Sequence, residues 1–228
     1  MLSGRLILLA GPMTFTQNKN IRGEIMALKL LEAPKIEPVS LDEAKLYLKI
    51  DQDVEDDLLA SMIAAARQTI ETYCGRCLIS QSWRFQVNAG FVFMRSDYSY
   101  LQADQSTAAG GVELPRGPFI ELVGTPVLLD GEKRFNIREY RLDTLGPFAK
   151  IHLGGGLGPT RDTLQVDFKA GYGDRSQDVP AEFKQAILMI VGDLYRNRHT
   201  TDTNSIQAPL LNNTVRSLIE PYRLIRLG

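Results

Sequence analysis

Two stretches with a helical apolar period enclose a long stretch of strand-like runs, and that order constrains what the chain can fold into. Between Ser40 and Cys74, and again between Val179 and Arg198, apolar residues recur three and four positions apart, as on helices with one buried stripe. The intervening residues alternate or run in short apolar segments punctuated by Gly, Pro and Asp, which is how strands and tight turns are written. The expectation is an α+β fold: a helical bundle of two N-terminal helices and one C-terminal helix, an inserted antiparallel β-domain, and an extended C-terminal tail.

Local signals place the helices. Ser40 followed by Glu43 is a capping box, and Asp42 and Glu43 suit the positive end of the helix dipole. Leu41, Ala44, Leu46 and Leu48 supply its apolar positions, and it should stop near Asp51. A second helix is expected from Asp53 to Glu55 onward, with Leu58, Leu59, Met62, Ile63, Ala66, Ile70 and Tyr73 as its stripe and Gly75 as its C′ residue. The third should open at Pro180 and bury Phe183, Ala186, Ile187, Ile190, Val191, Leu194 and Tyr195. A short amphipathic segment, Val215 to Glu220, is ended by Pro221.

Strands are expected where Trp83, Phe85 and Val87 alternate with polar residues, and over 112–114, 119–123, 127–129, 133–137, 139–142, 150–153 and 163–170. Asp130-Gly131 reads as a hairpin turn. Short strands at this spacing suggest a small sandwich or barrel, and Arg95 to Gly111 reads as a long polar loop. The resulting partition is a helical part over 26–80, the β-insertion over 81–173, the closing helix over 174–200, and a linker with docking tail over 201–228. Residues 1–25 read as a non-native leader or disordered segment. The purine-rich codons open to Arg22-Gly23-Glu24 resemble a ribosome-binding site, so Met26 is the expected natural start. The apolar run Leu6 to Ala10 is far short of the roughly 20 residues of a spanning helix.

Composition narrows the function. Lys and Arg number 26 against 27 Asp and Glu, so no global field draws the chain to nucleic acid or membrane. Two cysteines cannot build a disulfide framework. They form a lone C-x-x-C, Cys74 to Cys77, that closes a helix where a redox motif would open one, and no paired histidines complete a zinc site. Asp51, Asp53, Glu55 and Asp57 imitate a calcium loop, but Asp56 stands where the turn needs glycine. Gly154 to Gly158 lacks the Lys-Ser/Thr and helix of a phosphate loop, and no G-x-S-x-G elbow occurs. The reading is therefore of a non-enzyme with no catalytic, metal or cofactor site. From Arg196 onward, five arginines face Asp202 and Glu220, and Tyr222, Arg223 and Arg226 punctuate Leu224, Ile225 and Leu227. Tyrosine and arginine are favoured interface anchors, so this end is either a docking tail or a segment that folds back on its own core.

Taken in order, several motifs resemble the head-to-tail connector (adaptor) proteins of tailed bacteriophages and prophages. They are Ser40-Leu41-Asp42-Glu43-Ala44-Lys45, Leu58 to Arg67 with Tyr73 to Trp83, Leu114-Pro115-Arg116-Gly117-Pro118, Ala170-Gly171-Tyr172-Gly173, Leu194 to Arg198 and Leu218 to Arg223. The resemblance implies a structural virion neck protein without cofactor: a dodecameric ring beneath the portal that joins head to tail and continues the DNA channel. It implies as partners the portal protein, other neck or tail-completion proteins, further copies of itself and DNA passing without sequence-specific binding, and no membrane. Its location would be the virion neck, after assembly in the host cytoplasm. Carried onto this chain, portal docking falls to Pro221, Tyr222, Arg223, Leu224 and Arg226, and a subunit or partner interface to Tyr195, Arg196 and Arg198. Alternative readings are a DNA-binding or packaging-associated phage protein and a glycan-binding β-domain carried on helices, with Tyr98 and Tyr100 as aromatic contacts. Between Asp53 and Thr72 only Arg67 is basic, which weighs against DNA recognition by the second helix.

Overall fold

The computed structural model describes residues 16–21, 24–88, 112–153, 162–197 and 211–224. Helix α1 spans Leu41–Leu48, and its capping box is formed: the Glu43 N–H donates to Ser40 Oγ at 3.1 Å and the Ser40 N–H to Glu43 Oε2 at 2.8 Å. It ends at Lys49 in a left-handed conformation, two residues before the expected stop. Helix α2 spans Asp56–Cys74 and is closed by Gly75 at φ 69°, a conformation that glycine reaches without the steric cost of a Cβ. Helix α3 spans Ala181–Arg196, and the short α4 spans Asn213–Ile219 with Asn212 as its cap.

These helices share one core. Ala44 of α1, Ile63, Ala66 and Ile70 of α2, Phe183, Ile187 and Ile190 of α3, and Val215 and Ile219 of α4 are all buried in it. Leu46 departs from the expected stripe and stands 81% exposed, because α1 is only two turns long and turns Ala44 and Leu48 inward.

The strands pair antiparallel throughout. β1 (Thr16–Ile21), β2 (Glu24–Glu32), β3 (Gln81–Asn88) and β10 (Thr163–Ala170) run side by side. The far edge of β10 is divided between β5 (Phe119–Leu122) and β6 (Val127–Asp130), and β7 (Lys133–Asn136) closes the sheet beyond β6. A second sheet orders β4 (Val112–Glu113), β9 (Lys150–Leu153) and β8 (Tyr140–Asp143). Trp83, Phe85, Val87, Leu164, Val166 and Phe168 from the first sheet share a core with Val112, Leu114, Ile151 and Leu153, which is the expected sandwich. On the other face of β3 and β10, Arg84 grips Asp167 through two hydrogen bonds of 2.8 and 2.7 Å, and Gln86 donates to Gln165 at 3.0 Å.

Two features differ from the sequence reading. The β6–β7 hairpin turns on Gly131 and Glu132, one residue later than Asp130-Gly131, because Asp130 already pairs with Lys133. Gly131 alone takes positive φ there, at 57°. The sheet is also not confined to 81–173. β2 precedes the helices and lies against β3, with Leu28 opposite Phe85 and Leu30 opposite Trp83, while β1 falls within the segment read as a leader. The Arg95–Gly111 stretch, with Tyr98 and Tyr100, and Gly154–Gly158 lie outside the described residues.

Phe183 is fully buried where α2, α3 and α4 meet, with the rings of Tyr172 and Tyr222 at 5.7 and 4.7 Å. Phe183→Ala is expected to cost about 3–5 kcal/mol. Equilibrium urea unfolding followed by far-UV circular dichroism measures it.

Candidate functional site at the joint of helices and sheets

The chain passes from the helical core to the sandwich through residues 75–80, and the side chains there are divided between the two. Cys77 lies in the sandwich core, while Leu78 and Ile79 lie in the helical one. Two further segments are knitted to this strand-like crossing through their backbones. The Cys77 N–H donates to the Gly117 carbonyl at 2.7 Å, the Tyr172 N–H to the Leu78 carbonyl at 3.2 Å, and the Ser80 N–H to the Gly173 carbonyl at 3.0 Å. The Gly171 N–H then closes the set on the Pro118 carbonyl at 2.8 Å. Gly171 has φ 148°, and a Cβ there would stand 2.6 Å from the Ser80 nitrogen, so no larger residue fits.

A buried carboxylate holds this joint together. Glu71, on the last turns of α2, accepts from Arg67 Nη1 at 2.8 Å, from the Leu78 N–H at 2.8 Å and from Gln81 Nε2 at 2.6 Å. Arg67 also donates to Glu37 at 2.7 Å, and both Arg67 and Glu71 are 6% exposed. Arg116, whose φ is 70°, donates to the Glu71 backbone carbonyl at 2.8 Å and lays its guanidinium 5.3 Å from the Trp83 ring centre. Burial pushes the Glu71 carboxyl above the ordinary glutamate range, while Arg67, the Leu78 N–H and Arg116 pull it back. The sequence reading passed over this set. Its signal was a charged pair four residues apart, Arg67 and Glu71, lying on the buried stripe of α2.

The C-terminal segment is seated on the same joint. Val215 and Ile219 draw α4 into the helical core, and a 3-10 turn, Glu220–Tyr222, follows. Tyr222 stacks on Phe183 and gives its carbonyl to Arg76 Nε. Glu220 accepts from the Tyr73 hydroxyl and from Arg223 at 3.2 Å, and the Arg223 guanidinium lies 4.9 Å from the Tyr73 ring centre. The Leu224 N–H donates to the Cys74 carbonyl at 2.9 Å, and its side chain lies over Gly75 and Gly117. Of the residues expected to dock on a portal, Pro221, Tyr222, Arg223 and Leu224 are thus placed together, in contact with their own chain. The tail expected to be extended is folded back through Leu224, because α4 has a buried face. Arg226 lies outside the described residues.

The second expected interface lies elsewhere. Tyr195 donates to Glu55 at 2.5 Å at the far end of α3, and Arg196 is exposed beside it, while Arg198 lies outside the described residues. Twelve residues of helix separate Phe183 from Tyr195, about 18 Å, so the two expected contact groups do not form one surface. Cys74 and Cys77 are both buried, and burial pushes each thiol up to about 12, far from a reactive thiolate. Among the described residues no three His, Cys, Asp or Glu side chains group as metal ligands, and no helix is long and apolar enough to cross a membrane.

The comparisons fall on this geometry. Residues 38–109 match the family of phage gp6-like head-tail connector proteins. That stretch holds α1, α2, the crossing and β3, so the resemblance read from the sequence is borne out over it. Over most of its length the fold is similar to that of chains from gene transfer agent particles. A chain from the neck of the empty particle superposes with TM-score 0.65 at 21% identity, covering 88% of this chain and 97% of that one. A chain from the native particle's virion gives 0.63 at 22% identity, with the same two coverages. A chain from the native neck computed with C12 symmetry gives 0.55 at 22%, covering 87% and 97%. No curated protein sequence matches this chain. The geometry explains why the connector-like motifs are spread so widely along the sequence. Residues 73–83, 114–118, 170–173 and 218–223 are remote in sequence and meet at one joint.

Two outcomes test the joint. Glu71→Ala removes one of the two carboxylates that Arg67 binds and leaves the Leu78 N–H and the Gln81 amide without this acceptor in the interior; it is expected to cost about 3–5 kcal/mol, read by chemical unfolding. The second concerns Glu220, whose carboxyl is held below its ordinary 4.5, first by the Tyr73 hydroxyl and then by Arg223. A lowered folded pKa contributes stability above the unfolded value and loses it as pH falls through the folded one. Hydrogen exchange at the Leu224 amide, corrected for intrinsic rate, should stay protected from about pH 6 to 8. It should lose protection below pH 4.5, and Glu220→Gln should abolish that pH dependence.

Proposed function

We propose that this chain is a structural neck protein of a phage-like virion, forming a ring beneath the portal that joins head to tail and continues the DNA channel. The observation that carries the reading is the fold likeness to neck proteins over 88% of this chain and 97% of theirs. The connector-family match over residues 38–109 supports it independently. One matching neck was computed with C12 symmetry and another with C6, which a twelve-fold ring also satisfies, and this supports a dodecamer. In this reading the chain is not an enzyme and needs no cofactor. Its partners are the portal, the next neck or tail-completion protein, its own copies and passing DNA. Its place is the virion neck after assembly in the host cytoplasm.

The physical requirements of such a part match what the chain offers. One heterologous contact, repeated, closes a ring without any further specification. A formal net charge of −1 suits a channel wall, where strong phosphate affinity would hold moving DNA back. Docking on the portal is assigned to the segment that starts from the seated turn, with Arg226 beyond it and Pro221 to Leu224 fixing its direction. Twelve such segments on one ring act at high effective concentration.

Native mass spectrometry of the full chain with the portal protein of the same genome tests this. Twelve copies are expected on one portal ring, and removal of residues 225–228 is expected to abolish the complex. Truncation must not begin at Ser217, because it would take Ile219 out of the core. A full chain that never associates with an assembled portal overturns the neck role. A truncated chain that binds equally well overturns only the docking assignment.

A further inference from the structure

The C-terminal segment is seated beside a hairpin turn, and the two meet over one glycine. A Cβ on Gly117 would stand 3.4 Å from Leu224 Cδ1, 3.7 Å from the Pro147 carbonyl oxygen and 3.9 Å from Arg76 Nη1. Pro147 belongs to the turn between β8 and β9, whose residues from Thr144 to Pro147 are uncharged and exposed. Leu145 stands in that turn, its Cα at most about 7 Å from that of Pro147. It is 99% exposed, the most exposed large apolar side chain among the described residues.

The turn is held from beneath. Asp143 pairs with Lys150 across the hairpin and accepts from the Leu145 N–H at 3.1 Å. Phe148 and Ala149, directly after the turn, are buried. The Leu114 N–H donates to the Ala149 carbonyl at 2.8 Å, and Lys150 pairs with Glu113 at 3.3 Å. Leu145 is thus an apolar knob on a fixed base.

A single exposed leucine carries no meaning by itself. Its position gives this one meaning. Portal docking is assigned above to Pro221–Leu224 and Arg226. The first four are seated on the joint, and the Arg226 Cα is at most about 7 Å from that of Leu224. A partner that holds these residues is therefore brought against the body around Leu224. A standard specific interface takes about 20–30 residues a side, several times the residues assigned. The charges around the segment are engaged within the chain: Arg76 with the Tyr222 carbonyl, Arg116 with the Glu71 carbonyl, and Arg223 with Glu220. The surface left to a partner is apolar, with Leu145, Pro147 and Pro221 exposed.

We infer that the β8–β9 turn is the second half of the portal-docking site, and that Leu145 enters an apolar pocket of the portal. The inference rests on the docking assignment of the neck reading and deepens it, adding a contact of the folded body to that of the segment. A leucine on a held turn buries apolar surface with little backbone ordering to offset the gain.

Binding of the full chain to the assembled portal ring of the same genome, followed by biolayer interferometry, tests it. Leu145→Asp should weaken binding at least about tenfold, while Leu145→Met should stay within about threefold of wild type. Leu145 is so exposed in the free chain that neither change should shift thermal unfolding; Leu145→Ser stands in for Leu145→Asp if that variant does not fold. Benzoylphenylalanine in place of Leu145 should crosslink to the portal on irradiation, which mass spectrometry of the product identifies. Leu145→Asp binding at wild-type affinity overturns the inference, as does a position-145 crosslink that reaches only other copies of this chain. Either result leaves the neck reading in place when the wild-type chain binds the portal. Wild-type chain that never binds an assembled portal overturns both.

Discussion

The Glu71 carboxylate is the constraint from which the rest of the structure follows. A buried charge is tolerated only when its lone pairs are filled, and here the donors come from three places along the chain: Arg67 one turn before, the Leu78 backbone after the helix has ended, and Gln81 at the start of β3. Meeting all three fixes how α2 stops and where the sandwich begins. Arg116 adds a second tie, binding the Glu71 carbonyl while covering Trp83, so the loop before β5 is held to the helix as well. Replacing such a network by apolar side chains can be neutral in stability, whereas removing one member is not. What the network adds is direction: an apolar contact would let the two halves slide, and this one does not.

The C-terminal segment is held in two different ways, and the difference matters for anything it does. α4 is held by burial, since Val215 and Ile219 are fully enclosed and leave only with loss of the core. The turn after it is held by the Tyr222 ring packed on Phe183 and by surface polar contacts, those of Glu220 with Tyr73 and Arg223 and of Leu224 with the Cys74 carbonyl. Exposed pairs of this kind are each worth little. The polar contacts of Glu220 and Arg223 therefore add little to what Tyr222 and α4 secure by packing, and the segment read from the sequence as either folding back or docking is folded back through Leu224.

Most elements were legible because their signals are local. The capping box at Ser40, glycine after Cys74 and the alternation from Gln81 to Asn88 each act within a few residues, and the structure keeps all three. β2 was missed because Met26 to Leu31 is an apolar stretch without clear alternation, and its strand pairing is decided by β3, some fifty residues later. The joint was missed for the same reason in stronger form. Arg116 and Gly171 look unremarkable in their own neighbourhoods, and only the fold brings Arg116 to the Glu71 carbonyl and Gly171 to the Pro118 carbonyl. Conversely, Tyr222 and Arg223 looked like surface anchors because their chemistry suits an interface, and an intramolecular interface uses the same chemistry.

A twelve-membered ring, the assembly proposed for this chain, turns about 30° from each copy to the next. In such a ring an error of a few degrees in how each copy sets its two halves would accumulate over the copies and prevent closure. A joint built from backbone hydrogen bonds, a glycine that admits no Cβ and a filled buried carboxylate has little freedom to err. Four of the connector-like motifs, at 73–83, 114–118, 170–173 and 218–223, converge on this joint, whereas Tyr195, in the motif Leu194 to Arg198, lies at the far end of α3.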